Sequence, residues 1–300
     1  MIFSKPIPFE EALENVQLRK VLPTSATSAE LAAIAPEIRQ RAFFSARTTN
    51  AAYLTRQQNL IAGMVSPETV IDPASGNRRP AQPGEYSNPA TVRTELKQAL
   101  SSIGYTPDPE HAGGLQDLGS DIRLNLIIST QAGLSRGYGN WRQAQNPAVL
   151  DMWPAQELYR AQDRKERRLW GQAWNDARAR LTGRTSALPV DSLTGQADSG
   201  MYALKNDPIW TEISEFDLPY PIYNYNSGMR VRDVDRDQAI ALGLITADAQ
   251  VKPQDRPFNE SAQVSIPEGI APDLLTSLLT SLGSTIIRQG AKLILNPVAA

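Results

Sequence analysis

The chain has 300 residues, a formal net charge of -2, a single histidine and no cysteine. This length buries a sizeable core without a disulfide or metal. The composition excludes thiolate nucleophiles, cysteine-ligated zinc, iron-sulfur or haem sites, multi-histidine metal sites, and a strong pull of the whole surface towards nucleic acid or anionic lipid.

The 22 prolines and 19 glycines imply long irregular connections and extended arms. Residues 1–30 carry Pro6 and Pro8, a short helical pattern (FEEALENVQLRKVL) and then PTSATSAE, and are expected to form an N-terminal arm. They show no secretory signal pattern, and no run of the chain reaches the roughly 18–20 apolar residues of a membrane span. Ser28 is placed as a cap before AELAAIAPEIRQRAFFSA, with Pro36 breaking or restarting the helix. From Glu37 to Val65, Ile38, Ala42, Phe43, Ala46, Tyr53, Leu54, Ile61 and Met64 recur at steps of three and four, predicting two helices joined near Arg47–Asn50. SPETVIDPASGNRRPAQPGEYSNPA reads as a long loop and TVRTELKQALSSIG as another helix, completing a helical region over residues 31–112.

A core module follows over residues 113–250. DLGSDIRLNLIISTQAGLSRGYGNWRQAQNP predicts a long central helix capped by Ser120 or Asp121; Gly133, Gly137 and Gly139 either permit close packing or end the helix near Gly137. Residues 155–181 form the strongest helical segment by composition. Between Arg136 and Arg184, ten Arg or Lys stand against five acids. That excess describes either a solvated face with mixed ion pairs or a face towards DNA or an acidic partner. The contact candidates are Arg160, Arg164, Lys165, Arg167, Arg168, Arg178 and Arg180. Trp141, Trp153, Trp170, Trp174 and Trp210, with Tyr159, Tyr202, Tyr220, Tyr223 and Tyr225, read as a core with tyrosine hydroxyls at its edge, or as a stacking platform for bases.

In DLPYPIYNYNSGMRVRD (Asp217–Asp233), prolines and tyrosines stiffen the approach to a Ser227–Gly228 turn, and Met229–Arg232 alternates like a strand. This predicts a structural corner that leaves Arg230 and Arg232 to pair with a neighbour. A small helix is expected from Asp233 to Gly243, closed by that glycine. Residues 251–300 are read as an extended linker and a last amphipathic helix from Asp273 to about Leu295. It carries Leu275, Leu278, Leu279, Leu282, Ile286 and Leu293 on one face, for docking onto this chain's own core or a neighbouring subunit. The fold class predicted is α+β, a predominantly helical core with a small antiparallel strand and loop module and extended arms.

No phosphate-binding glycine loop or H-E-x-x-H pattern is present. In DVDRDQA, Arg236 stands where a calcium loop needs glycine, and no glutamate closes it. His111, in PDPEHAGGLQ, is a solvated loop residue or a lone base. The pairs Glu212 with Glu215 and Asp233 with Asp237 read as surface charge. No catalytic, cofactor or metal residue is assigned, and a non-enzyme is expected.

Three blocks carry a family resemblance: RAFFSARTTNAAYLTRQQNLI, DIRLNLIISTQAGLSRGYGNWRQ, and MYALKNDPIWTEISEFDLPYPIYNYNSGMRVRDVDRDQAIALGLI. In this order, over roughly Leu31 to Ile245, they resemble the minor head, or head morphogenesis, proteins of tailed bacteriophages and their prophage relatives. Many relatives place a His-Pro and Asn-Cys-Arg-Cys signature where this chain has Pro221–Arg232, so metal binding is not carried over. The resemblance implies a virion protein in the phage head, assembled in the host cytoplasm and present in multiple copies of a symmetric assembly. It implies binding to portal or major capsid subunits, sometimes to genomic DNA, with no cofactor and no membrane.

Overall fold

The computed structural model describes residues 9–66, 69–71, 78–80, 88–165, 168–183, 200–254, 262–283 and 285–295. It is an α+β protein of helices and small, mostly antiparallel sheets.

The first elements are α1 (Glu10–Gln17), β1 (Lys20–Val21), α2 (Ser28–Ala32), α3 (Pro36–Arg41) and β2 (Ala42–Phe43), with β1 and β2 paired in parallel. The cap of α2 is Thr27, one residue before the expected Ser28. Its hydroxyl accepts from the Glu30 N–H while the Glu30 carboxylate accepts from the Thr27 N–H, a reciprocal capping box. Pro36 restarts the chain as the first residue of α3, where a missing N–H costs nothing. The segment 9–30 is not an arm. Ala12 and Val16 of α1 are fully buried against α4 (Ala51–Val65) and Phe43, and Leu22 beyond α1 is fully buried in a second cluster with Leu31, Ile34, Ile38 and Ala42.

Asn50 starts α4 by accepting the Tyr53 N–H at 2.9 Å. The hairpin of β3 (Thr69–Ile71) and β4 (Arg78–Pro80) precedes α5 (Pro89–Ser102), which is capped by Asn88. The long helix α6 (Asp121–Ala144) begins with the Ser120 hydroxyl accepting the Arg123 N–H at 3.1 Å. Its three glycines lie within it. At Gly139 a Cβ would sit 2.5 Å from the Phe9 ring and 2.9 Å from the Ala12 methyl, so this glycine is what lets α1 approach α6.

Two compact units emerge, residues 1–139 with 256–300, and residues 140–255. The second holds α7 (Pro147–Met152), β5 (Ala155–Arg160), α8 (Trp170–Thr182), β6 (Met201–Leu204), α9 (Ile209–Glu212), β7 (Met229–Val234) and α10 (Arg236–Ala241). The single helix expected over 155–181 is replaced by strand, loop and helix. Ala155–Arg160 has helix-forming residues, yet it is the central strand of the antiparallel sheet β6-β5-β7, with Ala155 to Leu158 buried. Pairing on both edges outweighs the weak local preference. The small helix starts at Arg236 with Asp235 as its cap, later than expected because Asp233 and Val234 remain in β7, and Gly243 follows its end at φ +70°.

The last described elements are β8 (Ala262–Ser265), α11 (Pro272–Ser281), β9 (Ile286–Gln289) and β10 (Lys292–Leu295). The expected helix to Leu295 therefore stops at Ser281, and Ile286 and Leu293 lie on strands of the sheet β8-β10-β9. Gly283 and Gly290 interrupt the helical pattern, the β-branched Ile286–Ile287 pair favours strand β9 between them, and Gly290 lies in the turn to β10. Leu278, Leu282, Ile286, Leu293 and Leu295 are buried with Leu22, Leu31, Ile34 and Ile38, and Leu275 and Leu279 are half-buried against the same core. Of the two docking partners considered for this apolar face, its own unit takes it.

Candidate contact surface

The aromatic residues of the second unit form its core. Trp210 and Tyr223 stack at 5.8 Å, Trp174 meets Trp210 edge-on at 5.2 Å, and Leu158, Met201 and Met229 close the sheet side. Trp210, Trp174, Trp170 and Tyr223 are thus inaccessible as a base-stacking platform, while Tyr225 stands half-exposed against Phe216, their rings 4.9 Å apart.

The Tyr-Pro approach ends in a corner held from outside by arginines. Arg168 donates to the Tyr225 carbonyl at 2.8 Å, and Arg160 donates to the Arg168 carbonyl at 3.3 Å and reaches the Ser227 carbonyl at 3.5 Å. The Gly228 carbonyl accepts the N–H groups of Ala161 and Gln162, and the Ser227 hydroxyl accepts from Met229. Gly228 has φ +72°, and a Cβ there would lie 2.4 Å from the Gln162 carbonyl oxygen and 3.3 Å from the Arg164 side chain. Gly228→Ala combines left-handed strain with a backbone clash. We expect it to cost about 2–3 kcal/mol in urea unfolding followed by tryptophan fluorescence.

The contact candidates separate into two sets. Arg160 at the end of β5, and Arg164 and Arg168 on the loop after it, reach the Tyr225–Gly228 turn, Lys165 lies on the same loop, and Arg230 is just beyond the turn on β7; Arg167 lies outside the described residues. Arg178 and Arg180 are on α8 and pair elsewhere, with Asp207 at 2.7 Å and Glu212 at 2.5 Å, and Arg178 also lies over the Trp174 ring. Arg232, expected to be free, is also paired. Its Nε donates at 2.6 Å to the buried Glu157 carboxylate, which raises the arginine's pKa, and its guanidinium covers the Tyr159 ring. These pairs cross 29 to 75 positions of sequence, so spacing carried no signal for them.

Acids that invited catalytic or metal readings are similarly occupied. Asp235 caps α10, Glu212 holds Arg180, and Asp233 Oδ1 is 2.8 Å from the buried Lys205 Nζ, an ion pair by distance without hydrogen-bond angles. Among the described residues no group of three His, Asp or Glu side chains could hold a metal ion. An open, largely apolar depression of about 690 Å³ is lined by Leu204, Ile240, Leu244, Ile245 and Val251 among others, none of its lining residues being titratable. The loop with the lone histidine belongs to the first unit, where Asp117 accepts from the Gly113 and Gly119 N–H groups and the Tyr105 hydroxyl. Burial of Asp117 is outweighed by those donors, which hold its carboxyl below the usual range.

Known proteins add nothing further. No family model, curated protein or solved structure matches the chain. No helix among the described residues is long and apolar enough to cross a membrane.

Proposed function

We propose that the chain is a structural component of a tailed-phage head, a minor head protein that binds portal or major capsid subunits during assembly and genome packaging or delivery. The observation that carries this reading is the ordered run of the three sequence blocks. They correspond to β2 with α4, to α6, and to the stretch from β6 through the corner to α10. The corner supports a scaffold role, since its carbonyls are tied down by arginines and its aromatic rings are packed inside.

The alternative of an internal DNA-contacting protein used the basic run Arg160–Arg184. Arg178 and Arg180 are in ion pairs, Arg160 and Arg168 brace the corner, and Asp233 on β7 is followed by Asp235 and Asp237 at the start of α10. That mixture favours a protein partner over a polyanion.

The test is cross-linking mass spectrometry on nuclease-treated particles banded by density from the producing host. Peptides of this chain should co-band with capsid and carry cross-links to portal or major capsid subunits. Recovery solely from the soluble top of the gradient would overturn the reading.

A further inference from the structure

In the antiparallel register of β5 and β7, the Ala161 N–H donates to the Gly228 carbonyl. Residues that exchange bonds with β5 then alternate as Gly228, Arg230, Arg232 and Val234, so the N–H and C=O of Val231 and Asp233 point away from the sheet. Among the described residues those outward groups meet no partner. Arg230 and Arg232 share one face of this edge, and Arg230 is exposed and makes no ion pair among the described residues. We propose that the outer edge of β7 accepts an extended acidic segment of a partner protein as a fourth strand.

Backbone bonds to Val231 and Asp233 would fix the added strand. Residues opposite Arg230 and Arg232 would fall at non-hydrogen-bonded positions, where side chains approach most closely and opposite charges gain most. The partner's pattern is therefore acid, apolar or small residue, acid, with the middle side chain beside Val231. A second copy of β7 fits poorly. Pairing Val231 with its own copy sets Arg230 opposite Arg232, pairing Val231 with Asp233 sets Arg232 opposite itself, and pairing Asp233 with its copy sets two carboxylates together. Nucleic acid would meet the Asp233 carboxylate on this edge, and Asp235 and Asp237 follow directly at the start of α10. That the partner is a head subunit rests on the proposed function; the edge pairing itself does not.

The test uses the full chain, a capped peptide of alternating glutamate and valine, its lysine-for-glutamate counterpart, and a short DNA duplex. The glutamate peptide should slow amide exchange at Val231 and Asp233. Arg230→Glu, which reverses the exposed charge, and Val231→Pro, which removes an outward N–H at an edge position that tolerates proline, should each weaken its binding about tenfold or more. Unchanged tryptophan fluorescence identifies folded variants, and Arg230→Gln serves if Arg230→Glu fails to fold. The proposal is overturned by equal binding of the lysine peptide, by no protection at either amide, or by DNA protecting them instead. Protection that appears without peptide as protein concentration rises would mean self-pairing and would overturn it too. Particles that contain the chain while the peptide fails to bind would remove this inference and leave the proposed function standing.

Discussion

Trp210→Ala is expected to destabilise the second unit by about 3–5 kcal/mol, the range for truncating a large buried aromatic. Trp210 is fully buried, and three contacts depend on it: the stack on Tyr223, the edge contact with Trp174, and an Nε1–H bond to the Leu204 carbonyl at 2.8 Å. Removing the indole leaves a cavity between α8, α9 and the sheet, and a carbonyl at the end of β6 without that donor. Trp210→Phe restores much of the packing but not the donor, so it should cost about 1–3 kcal/mol. All five tryptophans lie between residues 140 and 255, so urea unfolding followed by their fluorescence reports this unit. A midpoint for Trp210→Ala within error of the parent would refute the account of this core.

Arg123→Met should be comparably severe in the first unit, also about 3–5 kcal/mol, because it strands buried acceptors rather than removing a surface charge. The Arg123 side chain leaves α6 buried and donates to the Leu115 carbonyl at 2.9 Å, the Ser45 hydroxyl at 2.9 Å, the Thr48 hydroxyl at 3.3 Å and the Ala46 carbonyl. Every one of these oxygens is uncharged. Burial lowers its pKa, yet a guanidinium stays protonated, and the surrounding dipoles take the place of water. Arg123→Lys should recover only part of the loss, since one ammonium cannot span the fork that joins residues 45–48 to the turn before α6. Hydrogen exchange should show the loss first at Arg47 and Thr48, whose N–H groups close that segment. Wild-type protection there in Arg123→Met would contradict this role.

The helices were legible where caps and period agreed. At α6 the two agreed at Ser120; α4 and α5 were read from their apolar period alone, and their caps, Asn50 and Asn88, were left in the joint and in the long loop. Ala155–Arg160 was not legible, because Ala, Gln, Glu, Leu and Arg all favour helix, and the two strands that make it a sheet centre lie far downstream. The terminal hairpin failed for a related reason. Leucine and isoleucine spacing continues smoothly past Ser281, and the glycines and the adjacent Ile286–Ile287 pair are weak marks of the change. At the contact surface, residue types located the basic loop and the glycine turn, but which arginines were committed depended on partners distant in sequence. Arg178 with Asp207 and Arg232 with Glu157 are visible only after folding.

The core shared by α2, α3, α11 and the terminal hairpin bears on how the chain is made. Ile38 and Leu31 emerge from the ribosome well before Leu274 and Leu278, their partners in the same core. At typical synthesis rates that interval is roughly ten to fifty seconds. During it, the early helices carry an apolar face that α11 and the terminal hairpin do not yet cover. Such a segment is a natural client for chaperones, and a truncated product would keep that face exposed and tend to aggregate.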